Sequence, residues 1–239
     1  MIKNNQDIIY KYLIDCLKLP IQLPNNMLVQ KIITRIVKRY IKGNEIKVIK
    51  LLLFCSRLLI KMNKLNDARY ICQEILEKEN INIREKIIAS GLLGDIFYKA
   101  GKIDMAINYN EKALSLALKT KNYDLASIAY HQAGIILLRK RKQKLAIERF
   151  EKSIKLCKKM KKMYKLGESY YQLGKIYERE REWNLALEAY YRAILFKRKE
   201  EDDEHYDPTD IFCRIDMIKN KLNVVEKPAI KFTKSIYQK

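Results

Sequence analysis

Two histidines, five cysteines and a group of alternating carboxylates are the residues of this chain that could carry chemistry, and their spacing argues against each chemistry in turn. His131 and His205 stand in unrelated contexts, with no HxxxH or HExxH pair to set two metal ligands on one helix face. Cys16, Cys55, Cys72, Cys157 and Cys213 are odd in number and contain no CxxC pair, so they predict buried thiols in a reducing compartment, not disulfides or a zinc site. There is no glycine-rich phosphate loop and no GxSxG elbow. Glu178, Glu180 and Glu182 read as the solvated end of a helix and not as a paired acid and base. The expectation is a protein that is not an enzyme, with no catalytic residue, no metal and no cofactor.

The elements that would position such residues are helices. Of 239 residues, 48% are apolar and 32% charged, a composition that folds, and only 7 Gly and 4 Pro punctuate it. The first residues lack an uninterrupted apolar core, because Asp7, Lys11 and Asp15 are spread through them, so no signal peptide is expected. The most apolar run, from Val48 to Ile60, holds Lys50 and Arg57 and is too short to span a bilayer. These features predict an all-α protein of an intracellular compartment, cytoplasmic with the nucleus as the alternative.

The helices repeat. Leu93-Gly94, Ala133-Gly134 and Leu173-Gly174 recur at a spacing of 40 residues. Each glycine is followed at the same distance by an alanine (Ala106, Ala146, Ala186) and then by a small residue (Ala113, Ser153, Ala193). Aromatic or aliphatic residues hold the third place after the glycine: Phe97, Leu137 and Tyr177. A fixed period with several columns in register means one supersecondary unit stacked on itself, each copy needing its neighbours to bury its apolar stripe.

The clearest copy, with Tyr170, Leu173, Gly174, Tyr177, Ala186, Tyr190 and Ala193, resembles the tetratricopeptide repeat, a pair of antiparallel helices A and B. The preceding copy places Tyr130, Ala133, Gly134, Leu137, Ala146, Phe150 and Ser153 at the same positions, and a looser one Ser90, Leu93, Gly94, Phe97, Ala106, Asn110 and Ala113. A degenerate copy with Ser56, Ala68, Cys72 and Ile75 precedes them. The period departs from the family's common 34 and fits helices of roughly 17 residues. The longer period is similar to the repeats of spindle-orientation adaptors, kinesin light chains and bacterial peptide-sensing regulators. The resemblance implies a right-handed α-solenoid of antiparallel helix hairpins. Small residues are expected where A crosses B, and aromatics between one repeat and the next.

In that family the A helices line a concave face, which implies a groove that binds a peptide or partner protein. Its expected lining is Asp95, Tyr98 and Lys99, with Gly91, in the first clear copy. In the second it is His131, Gln132, Ile135 and Arg139, with Leu138, and in the third Tyr171, Gln172, Lys175, Glu178 and Arg179. The carboxylate clamp of co-chaperone repeats is missing. Its fifth and ninth places hold Gly91 and Asp95, His131 and Ile135, or Tyr171 and Lys175, and Gln132 stands where its second-repeat Asn belongs.

Flanking helices are expected over residues 5–18 and 25–42, and a capping helix from Pro208 to Leu222 with Asp207 as its N-cap. The expected organisation is an N-terminal helical segment (1–45), a degenerate hairpin (46–84) and three repeats (85–200). An acidic connector with the capping helix (201–222) and a basic mobile tail (223–239) follow. The formal charge is +21, with Lys outnumbering Arg roughly three to one, which suits anionic partners in general better than bidentate base reading. Arg139–Lys144 and Lys158–Lys165 fall at opposite kinds of turn, so they are not expected to merge into one nucleic-acid footprint. The sequence thus predicts a protein-binding scaffold. A nucleic-acid-associated factor using basic edges and tail, or a ligand-sensing regulator, is the alternative. Oligomeric state is not legible.

Overall fold

A computed structural model describes residues 45–79, 81–160, 166–197 and 208–222. Among them every regular element is an α-helix. The expected helices over 5–18 and 25–42, the connector, Asp207, the tail, Cys16 and His205 lie outside the described residues. The chain divides into two compact units, Met1–Leu156 and Cys157–Lys239, and the division falls inside one helix.

The first unit holds α1 (Glu45–Lys61), α2 (Leu65–Glu77), α3 (Ile83–Lys99), α4 (Ile103–Lys119), α5 (Tyr123–Arg139) and most of α6 (Gln143–Lys159). The helices α3 to α6 have 17 residues each, and successive A helices begin 40 residues apart, as the period requires. Asn82 starts α3 by accepting the Arg84 N–H at 3.0 Å, and Lys99 closes it where the helix dipole favours a cation. Apolar side chains of α1 to α5, among them Leu59, Ile75, Leu93 and Ile96, form a continuous core. Burying each such side chain stabilises the fold by about 1.5–3 kcal/mol. Cys55, Cys72 and Cys157 are buried, and no disulfide joins described residues. Burial pushes the Cys72 thiol up to about 12, which keeps it protonated and inert.

The degenerate copy folds as a hairpin. Ser56 replaces the column glycine and is fully buried, its hydroxyl donating to the Leu52 carbonyl at 2.9 Å. Two ion pairs tie successive copies together: Arg84 to Asp124 at 2.7 Å and Lys140 to Asp104 at 2.5 Å. Water and salt screen such exposed pairs, so the core and not the charges holds the stack.

The second unit contains α7 (Leu166–Arg179), α8 (Trp183–Lys197) and α9 (Pro208–Lys221). Ala186, Tyr190 and Ala193 are fully buried, and Tyr170 stacks on Phe196 with centroids 5.8 Å apart. One stripe of α9, formed by Ile211, Ile215 and Ile218, is buried, as an amphipathic capping helix requires.

Two of the column aromatics have a further role: Phe150 and Tyr190 lie against the glycine of their own hairpin. A Cβ on Gly134 would meet the Phe150 ring at 2.6 Å, and one on Gly174 the Tyr190 ring at 2.6 Å. The glycine is there to admit a ring. Where the first clear copy has Asn110 in place of the ring, the nearest neighbour of a Gly94 Cβ is at an ordinary 3.4 Å.

Candidate partner-binding groove

The expected lining residues fall into three groups. In the first unit, Asp95 and Tyr98 on α3 and Gln132 and Ile135 on α5 are half-buried, while Lys99 and Arg139 are exposed. The Arg139 guanidinium lies 5.6 Å from the centroid of the Tyr98 ring, so one copy's last turn is laid over the previous copy's aromatic. Together these side chains offer an aromatic face, an amide, an aliphatic surface and both signs of charge.

His131 corrects the expectation. It is 0% exposed, with its ring 5.4 Å from that of Phe150, and cannot meet a partner in this state. The cause is Gly134, one helical turn further on: the ring it admits brings α6 close enough to enclose the preceding turn. Tyr171 occupies the equivalent place in the next copy and leans on Tyr190 in the same way, at 6.1 Å. This column packs helix A on helix B.

In the second unit the groove residues are engaged by the chain's own α9. Tyr171 donates to the Asp210 carboxylate at 2.6 Å, and Arg214 donates to Asp210 at 2.8 Å and to Glu178 at 2.9 Å. Tyr190 completes the cluster by donating to Glu178 at 2.5 Å. The Lys175 ammonium sits 5.3 Å from the Tyr171 ring centroid, and its pKa is lowered first by burial and then by the nearby Arg214 and Arg179. Gln172 is half-buried and Arg179 exposed. Sequence reasoning missed Asp210 and Arg214. Their i, i+4 spacing was visible, but nothing in it showed that both reach a helix about forty residues earlier.

The hydrogen-bonded cluster shares one guanidinium, Arg214, between the Glu178 and Asp210 carboxylates, with the Tyr171 and Tyr190 hydroxyls donating to the same two acids, and so ties α9 to α7 and α8. Among the described residues no group of three His, Cys, Asp or Glu could hold a metal ion, and no helix is long and apolar enough to cross a membrane.

The tetratricopeptide repeat model matches residues 86–159. A search among curated proteins finds no match to the sequence. Among solved structures the chain is similar to BtubC (BKLC) from P. vanneervenii, with 15% identity over 78% of each chain and a TM-score of 0.64. It is similar to the apo form of RapI, with 12% identity over 90% of this chain and 83% of that one and a TM-score of 0.62. It also resembles aspartyl phosphate phosphatase F from Bacillus subtilis, with 17% identity, 74% of this chain covered and a TM-score of 0.62. The match takes in only 46% of that protein's length. At such identities the likeness shows a shared fold, the all-α helical-repeat solenoid, and the phosphatase activity in that neighbour's name stays with it.

Proposed function

We propose that this chain, whose residues 86–159 match the tetratricopeptide repeat, is a non-enzymatic scaffold that holds a peptide segment of a partner protein against helices α3 and α5. The observation that carries the reading is the arrangement of Tyr98 and Arg139, stacked across two successive A helices beside the half-buried Gln132 and Ile135. A repeat fold supplies a long surface with no need for a catalytic cavity, and this surface mixes anchoring and hydrogen-bonding side chains. Asp95 and Lys99 add one charge of each sign, which would fix a peptide's direction. In the second unit, Tyr171 and Glu178 are already bound to α9, so the partner's contacts are assigned to the first unit.

The test is affinity capture of the intact chain's partners from its native cells, comparing it with the Tyr98→Ala, Gln132→Ala, Ile135→Ala variant. Circular dichroism of both proteins verifies that the variant keeps its helices. Loss of a specific partner supports the reading, and an unchanged partner set refutes it.

A further inference from the structure

The turns joining helix A to helix B are four copies of one backbone conformation. Lys61-Met62-Asn63-Lys64, Lys99-Ala100-Gly101-Lys102, Arg139-Lys140-Arg141-Lys142 and Arg179-Glu180-Arg181-Glu182 each place their third residue in the left-handed region, at φ 59°, 76°, 57° and 61°. In each, the fourth residue's N–H reaches back to the carbonyl five residues earlier, on Leu59, Phe97, Leu137 and Tyr177 respectively. This is the left-handed stop common at helix C-termini.

The first three turns belong to the first unit, where stacked hairpins bring them to one edge. The second and third are linked directly by the Lys140–Asp104 bridge and by Arg139 over Tyr98. Lys61, Lys64, Lys99, Lys102, Arg139, Arg141 and Lys142 are all exposed there. The cluster at Arg139–Lys144 therefore needs no help from the opposite edge. It continues along its own.

Folding explains only half of this row. Lys61, Lys99 and Arg139 end helices, where the dipole favours cations. Lys64 and Lys102 stand at the N-caps of α2 and α4, make no capping hydrogen bond there, and face the positive end of the dipole. Lys142 takes the same place before α6. On the opposite edge of the same unit, uncharged Asn82 and Asn122 hold the N-cap positions of α3 and α5, and Asn82 accepts a capping bond from the Arg84 N–H. In the second unit the fourth turn has Glu182 where the others have Lys. Three consecutive helix starts thus carry a cation where the dipole favours an anion, a local conflict that marks function more often than folding.

We propose that this edge binds the sugar–phosphate backbone of a nucleic-acid duplex without reading its sequence. With neighbouring helices roughly 10 Å apart, three turns extend across about 20 Å. Along that length a duplex presents one negative charge per about 1.7 Å. The turns hold no aromatic residue, so the stacking platforms that hold single strands are missing. The row is mostly lysine, which supplies point charges to phosphate and not bidentate contacts to bases. The turn tips carry no bulky exposed apolar residue to enter a membrane; Met105 and Leu145 stand three residues into the following helices.

Fluorescence anisotropy of the full chain with short mixed-sequence DNA and RNA duplexes tests this across a salt series. The variants are Lys64→Asn, Lys102→Asn, Lys142→Asn on this edge and Lys119→Gln, Lys121→Gln on the other. The first is expected to weaken duplex binding and to flatten the slope of log K against log salt by about 0.9 for each phosphate no longer neutralised. Its thermal midpoint should not fall, because each change removes a cation from the positive end of a helix dipole, so weaker binding would not reflect a damaged fold. The second should bind as the unaltered chain does. The proposal is overturned by undetectable or unchanged duplex binding, by equal losses from the two edges, or by a fall in the first variant's midpoint. Binding confined to single strands or phosphatidylserine vesicles would also overturn it.

Discussion

The backbone of Gly174 lies against the ring of Tyr190 so closely that a Cβ added there would meet Cδ1 and Cε1 at 2.6 Å. The ring is fully buried and cannot retreat. Gly134 and Phe150 repeat the relationship. Gly174→Ala and Gly134→Ala should each destabilise the fold by about 1–3 kcal/mol in chemical denaturation, overcoming alanine's advantage of about 1 kcal/mol in helix propensity. Gly91 is the counterexample within α3: nothing lies within 4 Å of its Cβ position. Gly91→Ala should therefore stabilise by about 0.5–1 kcal/mol.

The left-handed turns give a second pair of opposite effects. Arg181 sits at φ 61° and Gly101 at φ 76° in the same turn conformation, and a Cβ on Gly101 would meet nothing within 4 Å. Arg181→Gly should stabilise and Gly101→Ala destabilise, each by roughly 0.5–1 kcal/mol, through backbone conformation alone. Denaturant midpoints of the two variants measure this, and effects of the same sign would contradict it.

The cap on α7 should have a pH window. Asp210 is held below its usual 3.8, chiefly by its hydrogen bond from Arg214. Its contribution is present above the ordinary carboxylate range and is lost as pH falls through the lowered value. Tyr171 is pushed from 10.0 up to about 12, first by burial and then by its bond to Asp210. Its contribution is complete below pH 10 and is lost as pH rises toward about 12. In thermal melts across pH, Asp210→Asn should flatten the acid limb and Tyr171→Phe the alkaline limb.

The repeat was legible because its columns are packing requirements. A glycine that admits a ring and an alanine at a helix crossing recur whenever the geometry recurs, so Gly134, Gly174, Ala146 and Ala186 announced the hairpins. The groove was less legible. A single helical place separates a residue that faces out from one that packs inward, and the ring on Gly134 moved His131 across that line. The α9 cluster was not legible at all, since Asp210 and Arg214 look like any solvated i, i+4 pair until α7 is beside them. The turn row was hidden for a related reason: KMNK, KAGK and RKRK differ at their middle places and become one series only once the fold sets the A-to-B turns on one edge.

Site-directed photo-cross-linking tests the scaffold reading most directly. A cross-linking amino acid at Gln132, on the α5 face beside Tyr98 and Arg139, is compared with one at Glu111, exposed on α4. The account predicts a discrete protein adduct from position 132, abolished by Tyr98→Ala, and none from position 111. Adducts from position 111 alone, or from 132 with no dependence on Tyr98, would contradict it.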